Sequence, residues 1–179
     1  GWMADSCGAH GLDVPILDSK TRKEIDQYLP SYGTSQNPVD GTAGVVREVG
    51  YANISRMIAS ANNVDTVITI ASTRAPHKIV EEETLLTELS RETQKPVMIW
   101  SYTLPHDESS KTLAAAGLPL FTNVRNCTRT ISLMQQYKGK QKSLLKDRVQ
   151  TENKLGNISA LEEEIRKQAT NTVSYTHLT

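Results

Sequence analysis

Two short apolar runs separated by one helix-length segment constrain this chain more than any other feature. Val64-Asp65-Thr66-Val67-Ile68-Thr69-Ile70-Ala71 is rich in β-branched residues and ends in the small-residue loop Ser72-Thr73-Arg74-Ala75-Pro76. Such a run reads as a strand. Pro96-Val97-Met98-Ile99-Trp100 is a second, with proline at the first position, where a strand tolerates it. Between them His77–Thr93 carries Ile79, Leu86 and Leu89 at helical spacing, with Glu81, Glu82 and Glu83 expected on a mostly solvated face. Strand, helix, strand implies a βαβ crossover and a parallel sheet covered on both faces.

The remaining segments extend that pattern. Trp2–His10 reads as a helix with Gly11 just past its end, and Gly11–Leu17 as a turn into a short strand. Asp18-Ser19 is expected to cap a polar helix over Lys20–Leu29, with Pro30–Gln36 as a loop. From Ala43 to Ala61, residues Val45, Val46, Val49, Ala52, Met57 and Ile58 follow roughly helical spacing. Asp107 is expected to cap a helix running to Ala116, Gly117–Thr122 to repeat the turn into a strand, and Asn123 to cap a last helix carrying Ile131, Leu133 and Met134. The fold class is therefore α/β, a flavodoxin-like three-layer domain with a parallel sheet.

Beyond Tyr137 the character changes. Lys138–Lys154 holds six basic residues against Asp147 and Glu152, a solvated face or linker rather than a binding patch. Ile158–Ala169 is a candidate further helix with Ser159 at its start. The organisation expected is a domain over 1–137, a charged linker, helical or partly disordered, over 138–172, and a non-native tail over 173–179 that reads like translated adapter sequence.

Twenty basic and twenty acidic residues balance. This argues against a general nucleic-acid or membrane-surface role. Cys7 and Cys127 form no CxxC pair and have no His at ligand spacing, so both read as small buried or half-buried thiols and not as a zinc site. With no signal peptide and no membrane-length apolar run, a cytoplasmic setting is expected. No Gly-x-Ser-x-Gly elbow, Walker loop, GxGxxG or HExxH is present. His10 sits near a helix end, where a cation suits the dipole. His77 and His106 each follow a proline in a loop at a strand's carboxyl end, where open sheets bind ligands, though loop histidines are more often plain surface residues.

The stretch densest in turn and cap formers is Asn37-Pro38-Val39-Asp40-Gly41-Thr42-Ala43-Gly44. Pro38 restricts itself and Asn37. Gly41 and Gly44 permit tight turns, and Asp40 and Thr42 are competent N-caps. It reads either as a capped turn or as a loop offering backbone N–H groups to an anion.

The order of these pieces carries a resemblance. Gly1-Trp2-Met3-Ala4-Asp5-Ser6-Cys7, Gly11-Leu12-Asp13-Val14-Pro15, Asn37-Pro38-Val39-Asp40, Asn63-Val64-Asp65-Thr66-Val67, Lys95-Pro96-Val97 and Ala116-Gly117-Leu118-Pro119-Leu120-Phe121 follow in turn. Over 1–137 this resembles the third, flavodoxin-like domain of the ADP-forming acyl-CoA synthetases, the acid–CoA ligase relatives of succinyl-CoA synthetase. In that family the Asn-Pro-Val-Asp run commonly continues Leu-Thr-Gly. Here Gly41 replaces the Leu, and Ala43 separates Thr42 from Gly44.

The resemblance implies a modular ligase interconverting acyl-CoA, ADP and phosphate with free acid, CoA and ATP, through an acyl phosphate and a phosphohistidine. It implies CoA and ATP/ADP with Mg in the full enzyme, and none bound by this fragment alone. The implied partners are the CoA-binding, phosphohistidine and ATP-grasp domains of the same enzyme, a small carboxylic acid, and further subunits. The histidine belongs to the neighbouring domain, so no catalytic residue is assigned here. The strand and glycine-rich turn before the first helix are expected to lie outside this sequence. Gly1 and Trp2, the run Asn37, Pro38, Val39, Asp40, Gly41 and Thr42, and Ser72, Thr73 and Arg74 are expected to form one wall of the phosphoryl and acyl site. An acyl-CoA-sensing or acetyltransferase-fused relative, or a non-catalytic flavodoxin-like binding module, are the alternatives.

Overall fold

The computed structural model describes residues 1–172, with side chains for all of these but 149–157, 159 and 169–172. The expected non-native tail over 173–179 lies outside the described residues. Two compact units divide the chain, Gly1–Ser132 and Leu133–Thr179.

The first unit is built on a parallel sheet. Strands β1 (Val67–Ala71), β2 (Val97–Ser101) and β3 (Leu120–Phe121) lie in the order β1-β2-β3 among the described residues. Register pairs Ile68 with Met98, Ile70 with Trp100, and Trp100 with Phe121. Every residue of the central strand β2 is buried, as a parallel strand covered on both faces requires. Alternation then divides the core in two. Val67, Ala71, Val97 and Ile99 face one core with Leu17, Ile25, Ala52, Ile79, Leu86, Leu89 and Leu113. Met98 and Trp100 face the other with Met3, Cys7, Leu12, Val124, Cys127 and Ile131.

The first of these cores is covered by α2 (Ser19–Asp26), α4 (Tyr51–Ser60), α5 (His77–Glu81), α6 (Glu83–Glu92) and α7 (Asp107–Ala115), and α3 (Thr42–Glu48) precedes α4. The second is covered by α1 (Trp2–Ala9) and the start of α8 (Val124–Thr172). The layers are helix, sheet, helix, as expected for the α/β class.

Local chemistry explains most boundaries. Gly11 and Gly117 follow α1 and α7 at φ +70° and +76° and let the chain turn back into the core. Asp18 caps α2 by accepting from the Lys20 and Thr21 amides at 3.1 and 2.9 Å, and the Asn123 side chain accepts from the Asn126 amide at 3.1 Å.

Several expectations are corrected. Leu12–Leu17 is not a strand. Leu12 and Leu17 are buried, but the segment has no ladder partner among the described residues, and the Ile16 carbonyl accepts from the Asn63 side chain instead. The helix expected over Ala43–Ala61 is two, because Gly50 sits at φ +86° between α3 and α4. The helix expected over His77–Thr93 is also two, broken at Glu82, which is buried rather than solvated. The cap of α7 is His106, whose Nδ1 accepts from the Glu108 amide at 3.2 Å, with Asp107 inside the first turn.

The last helix does not stop near Tyr137. It runs unbroken to Thr172, through the charged stretch and past Ser159. This stretch holds no proline and many Lys, Gln, Leu and Glu residues, whose summed propensity outweighs its glycines. In the second unit Lys167 pairs with Glu163 one turn back at 3.6 Å.

Candidate functional site

Ligands of open parallel sheets bind beyond the carboxyl ends of the strands. There β1 and β2 run into loops joined by hydroxyl groups. The buried Thr73 hydroxyl lies 2.7 Å from that of Ser101, the last residue of β2. The Ser101 hydroxyl donates to the Thr103 carbonyl at 2.8 Å. The Thr103 hydroxyl accepts from the Thr73 amide at 3.2 Å and lies 3.4 Å from the Ser72 hydroxyl. The His106 amide closes the set on the Thr73 carbonyl at 2.9 Å. The Ser72 amide donates to the Tyr51 hydroxyl at 3.3 Å. Burial pushes the Tyr51 hydroxyl above its ordinary value, partly offset by that amide bond. Of the residues expected here, Ser72 and Thr73 are in the network and Arg74 is exposed at its rim.

Tyr51, Ser101 and Thr103 were not singled out in the sequence. The Ser-x-Thr spacing directly after a buried strand is a signal that could have found the last two, since a hydroxyl two residues before an amide commonly closes a turn. Nothing local marks Tyr51.

The Asn37–Gly44 loop is held by a separate set of bonds. Thr34 and Asp40 exchange both backbone hydrogen bonds, at 3.1 and 2.9 Å, and so close the loop at its base. Within it the Asn37–Pro38 peptide is cis. Val39 is partly buried against the first core. Asp40 Oδ1 accepts from the Thr42 amide at 3.0 Å, and the Thr42 hydroxyl accepts from the Gly44 amide at 3.3 Å. Both expected caps therefore hold first-turn amides of α3, while the N-cap position itself falls at Gly41. The residue with positive φ is Thr42, at 59°. Gly41 is right-handed, and its lack of a side chain serves packing, because a Cβ there would lie 3.3 Å from that of Val45.

Gly1 and Trp2 open α1, whose first-turn amides receive no side-chain cap. Trp2 is exposed and stands edge-on to Trp100 of β2, ring centres 5.6 Å apart at 88°. A cavity of about 330 Å³ lies between α1 and the turn from β3 to α8, lined in part by Trp2, Asp5, His10, Asn123 and Arg125. His10 is fixed at its wall, Nδ1 lying 2.9 Å from the Ser6 carbonyl and 3.0 Å from the Thr128 hydroxyl. Cys7 and Cys127, in the second core, are buried and unpaired. Burial pushes both thiols up, Cys127 to about 12. A larger depression of about 480 Å³ runs between α2 and α4, lined by none of the expected site residues.

Among the described residues no cluster of three or more His, Cys, Asp or Glu side chains is placed to hold a metal ion. No helix among them is long and apolar enough to cross a membrane.

No family model matches the chain. Over 136 residues it is 26% identical to acetate–CoA ligase (ADP-forming) I of Archaeoglobus fulgidus, covering 75% of this chain and 19% of that protein. Over 136 residues it is 24% identical to 4-hydroxybutyrate–CoA ligase (ADP-forming) of Nitrosopumilus maritimus, covering 74% and 19%. The chain thus spans about a fifth of the length of these relatives. Among solved structures, PH0766 from Pyrococcus horikoshii OT3 shares its fold with a TM-score of 0.62 at 24% identity, over 76% of this chain and 32% of that one.

Proposed function

We propose that this chain, a relative of the ADP-forming acid–CoA ligases, is one domain of such an enzyme. The observation that carries this reading is the 136-residue match to an ADP-forming acetate–CoA ligase, which spans most of the sheet-bearing unit. The reaction interconverts acyl-CoA, ADP and phosphate with carboxylic acid, CoA and ATP, by way of an acyl phosphate and a phosphohistidine. Residues 1–137 form the flavodoxin-like domain, and 138–172 lead toward an ATP-grasp domain. The CoA-binding and phosphohistidine domains are further parts of the same longer protein. CoA and ATP act there as substrates, with Mg accompanying the nucleotide.

This chain's own contribution is to hold and orient rather than to attack. The uncapped amides at Gly1–Trp2 are suited to a phosphoryl group, since a helix N-terminus carries on the order of half a positive charge and stabilises a dianion without proton transfer. The Asn37–Thr42 loop is a preformed wall: its Thr42 and Gly44 amides are held by its own side chains, so it lends shape more than free donors. Ser72 and Thr73 present a loop fixed by the hydroxyl network, and Arg74 stands exposed where it can meet an anion.

The test is an assay of the longer protein for ATP formation from acyl-CoA, ADP and phosphate, with labelled phosphate to trap a phosphohistidine. Turnover with an acid-labile label on a neighbouring domain is expected. A folded longer protein that shows neither overturns the reading.

A further inference from the structure

Glu82 is the one acidic side chain of the Glu81–Glu83 run that is buried, at 6% exposure. The break between α5 and α6 falls on it, and its carboxylate enters the first turn of α4. There Oε2 accepts from the Ala52 amide at 2.8 Å, thirty residues away in sequence. Gly50 at the N-cap of α4 has no side chain to do this itself. Its backbone leaves the space the carboxylate fills, for a Cβ on Gly50 would come within 2.8 Å of the carboxyl carbon and both oxygens. The other oxygen, Oε1, is buried with no hydrogen-bond partner. A half-satisfied buried carboxylate is costly, and such departures from local rules concentrate where function requires them. The first turn it holds begins with Tyr51, whose hydroxyl receives the Ser72 amide at 3.3 Å.

We infer that Glu82 is a positioning residue for the Ser72–Arg74 loop, acting through the first turn of α4 and the Tyr51 hydroxyl. The functional half of this inference rests on the reading that the loop faces the phosphoryl and acyl site. The physical linkage does not. Glu82 itself touches no substrate. It supplies a charge-assisted acceptor that fixes where Tyr51 stands, and Tyr51 fixes the first amide of the loop.

Amide hydrogen exchange on this chain tests the linkage. Glu82→Ala should speed exchange at both Ala52 and Ser72 by about ten- to a hundredfold, the scale set by loss of a hydrogen bond to a charged group, while amides of β2 keep their protection. Glu82→Gln retains an acceptor and should restore protection at Ala52. Tyr51→Phe should release Ser72 alone, and serves as the deciding variant if Glu82→Ala does not fold. Faster exchange at Ala52 with Ser72 unmoved would overturn the linkage, leaving Glu82 a cap only. So would Tyr51→Phe without effect at Ser72.

In the longer enzyme, Glu82→Ala should lower kcat about tenfold at nearly unchanged KM, with Glu82→Gln close to the parent. Unchanged kcat would overturn the positioning role. An unsubstituted protein with no ligase activity would instead sink the functional reading and leave the exchange result standing.

Discussion

Replacing Gly50 with Ala would strike two features of the fold at once. Gly50 has φ +86° and ψ 163°, a region that is essentially open only to glycine, and forcing another residue there costs about 1–3 kcal/mol. The new methyl would also overlap the Glu82 carboxylate at 2.8 Å. The flexible side chain can retreat only by giving up the Ala52 amide, and a hydrogen bond to a charged group is worth about 1.5–3 kcal/mol. Together these give a loss of about 2.5–6 kcal/mol, a large part of the roughly 5–15 kcal/mol that holds a typical domain. Urea unfolding followed by tryptophan fluorescence reads the sheet-bearing unit directly, because Trp100 is buried in it. With a slope of about 2 kcal/mol/M the midpoint should fall by about 2 M. The double variant Gly50→Ala, Glu82→Ala isolates the clash. It should be less destabilised than the sum of the singles by about 0.5–3 kcal/mol. A midpoint shift under about 0.5 M for Gly50→Ala, or strict additivity in the double variant, would refute the argument.

Other outcomes follow from the same geometry. Hydrogen bonds from the Thr21, Asn62 and Lys20 amides and the Thr21 hydroxyl hold the Asp18 carboxyl below its ordinary value. Because the folded value is the lower one, its contribution is complete above the unfolded value of about 3.9 and is lost as pH falls through the folded one. Asp18→Asn should flatten that acid limb in pH-dependent unfolding, and an unchanged limb would count against the hydrogen-bond account. Cys7 and Cys127 are buried with raised thiols, so a disulfide reagent at mildly alkaline pH should label neither in the folded chain and both in guanidinium. Fast native labelling of Cys127 would contradict its burial. Leu89→Ala, at a fully buried position of the first core, should cost about 2–5 kcal/mol in the same urea experiment, whereas a loss under about 1 kcal/mol would mean the site closes over the cavity.

The sheet's parallel polarity was legible because β1 and β2 are runs of β-branched and apolar residues whose burial on two faces needs no knowledge of neighbours. The glycines at 11 and 117 and the caps at Asp18 and Asn123 were legible for a similar reason: each answers a need of its own helix end. What escaped depended on contacts distant in sequence. Leu12–Leu17 has the composition of a strand, but a ladder needs a second strand. Glu82 sits in a run of three acids that looks solvated from every local viewpoint, and only the empty space at Gly50 explains its turning inward. The length of α8 was hidden by its charge, since Lys-rich and Glu-rich stretches read equally as linker or as exposed helix. Ser72, Thr73 and the Asn37–Thr42 loop were singled out from turn chemistry and resemblance. Ser101 and Thr103 share one segment and Tyr51 lies in another, and these meet the Ser72–Thr73 loop only in the folded chain.

The second core has a consequence for how the molecule is made. Its hydroxyl contact between Ser6 and Thr128, at 2.9 Å, joins positions 122 residues apart, and Met3, Cys7 and Leu12 share that core with Cys127 and Ile131. During synthesis α1 leaves the ribosome long before the partner that covers it. At about 5–20 residues per second, it waits on the order of ten seconds with its apolar side uncovered. Closing such a long loop is slow as well as late. In the interval before residue 131 emerges the second core's apolar residues therefore stay uncovered, the kind of exposed surface that favours aggregation.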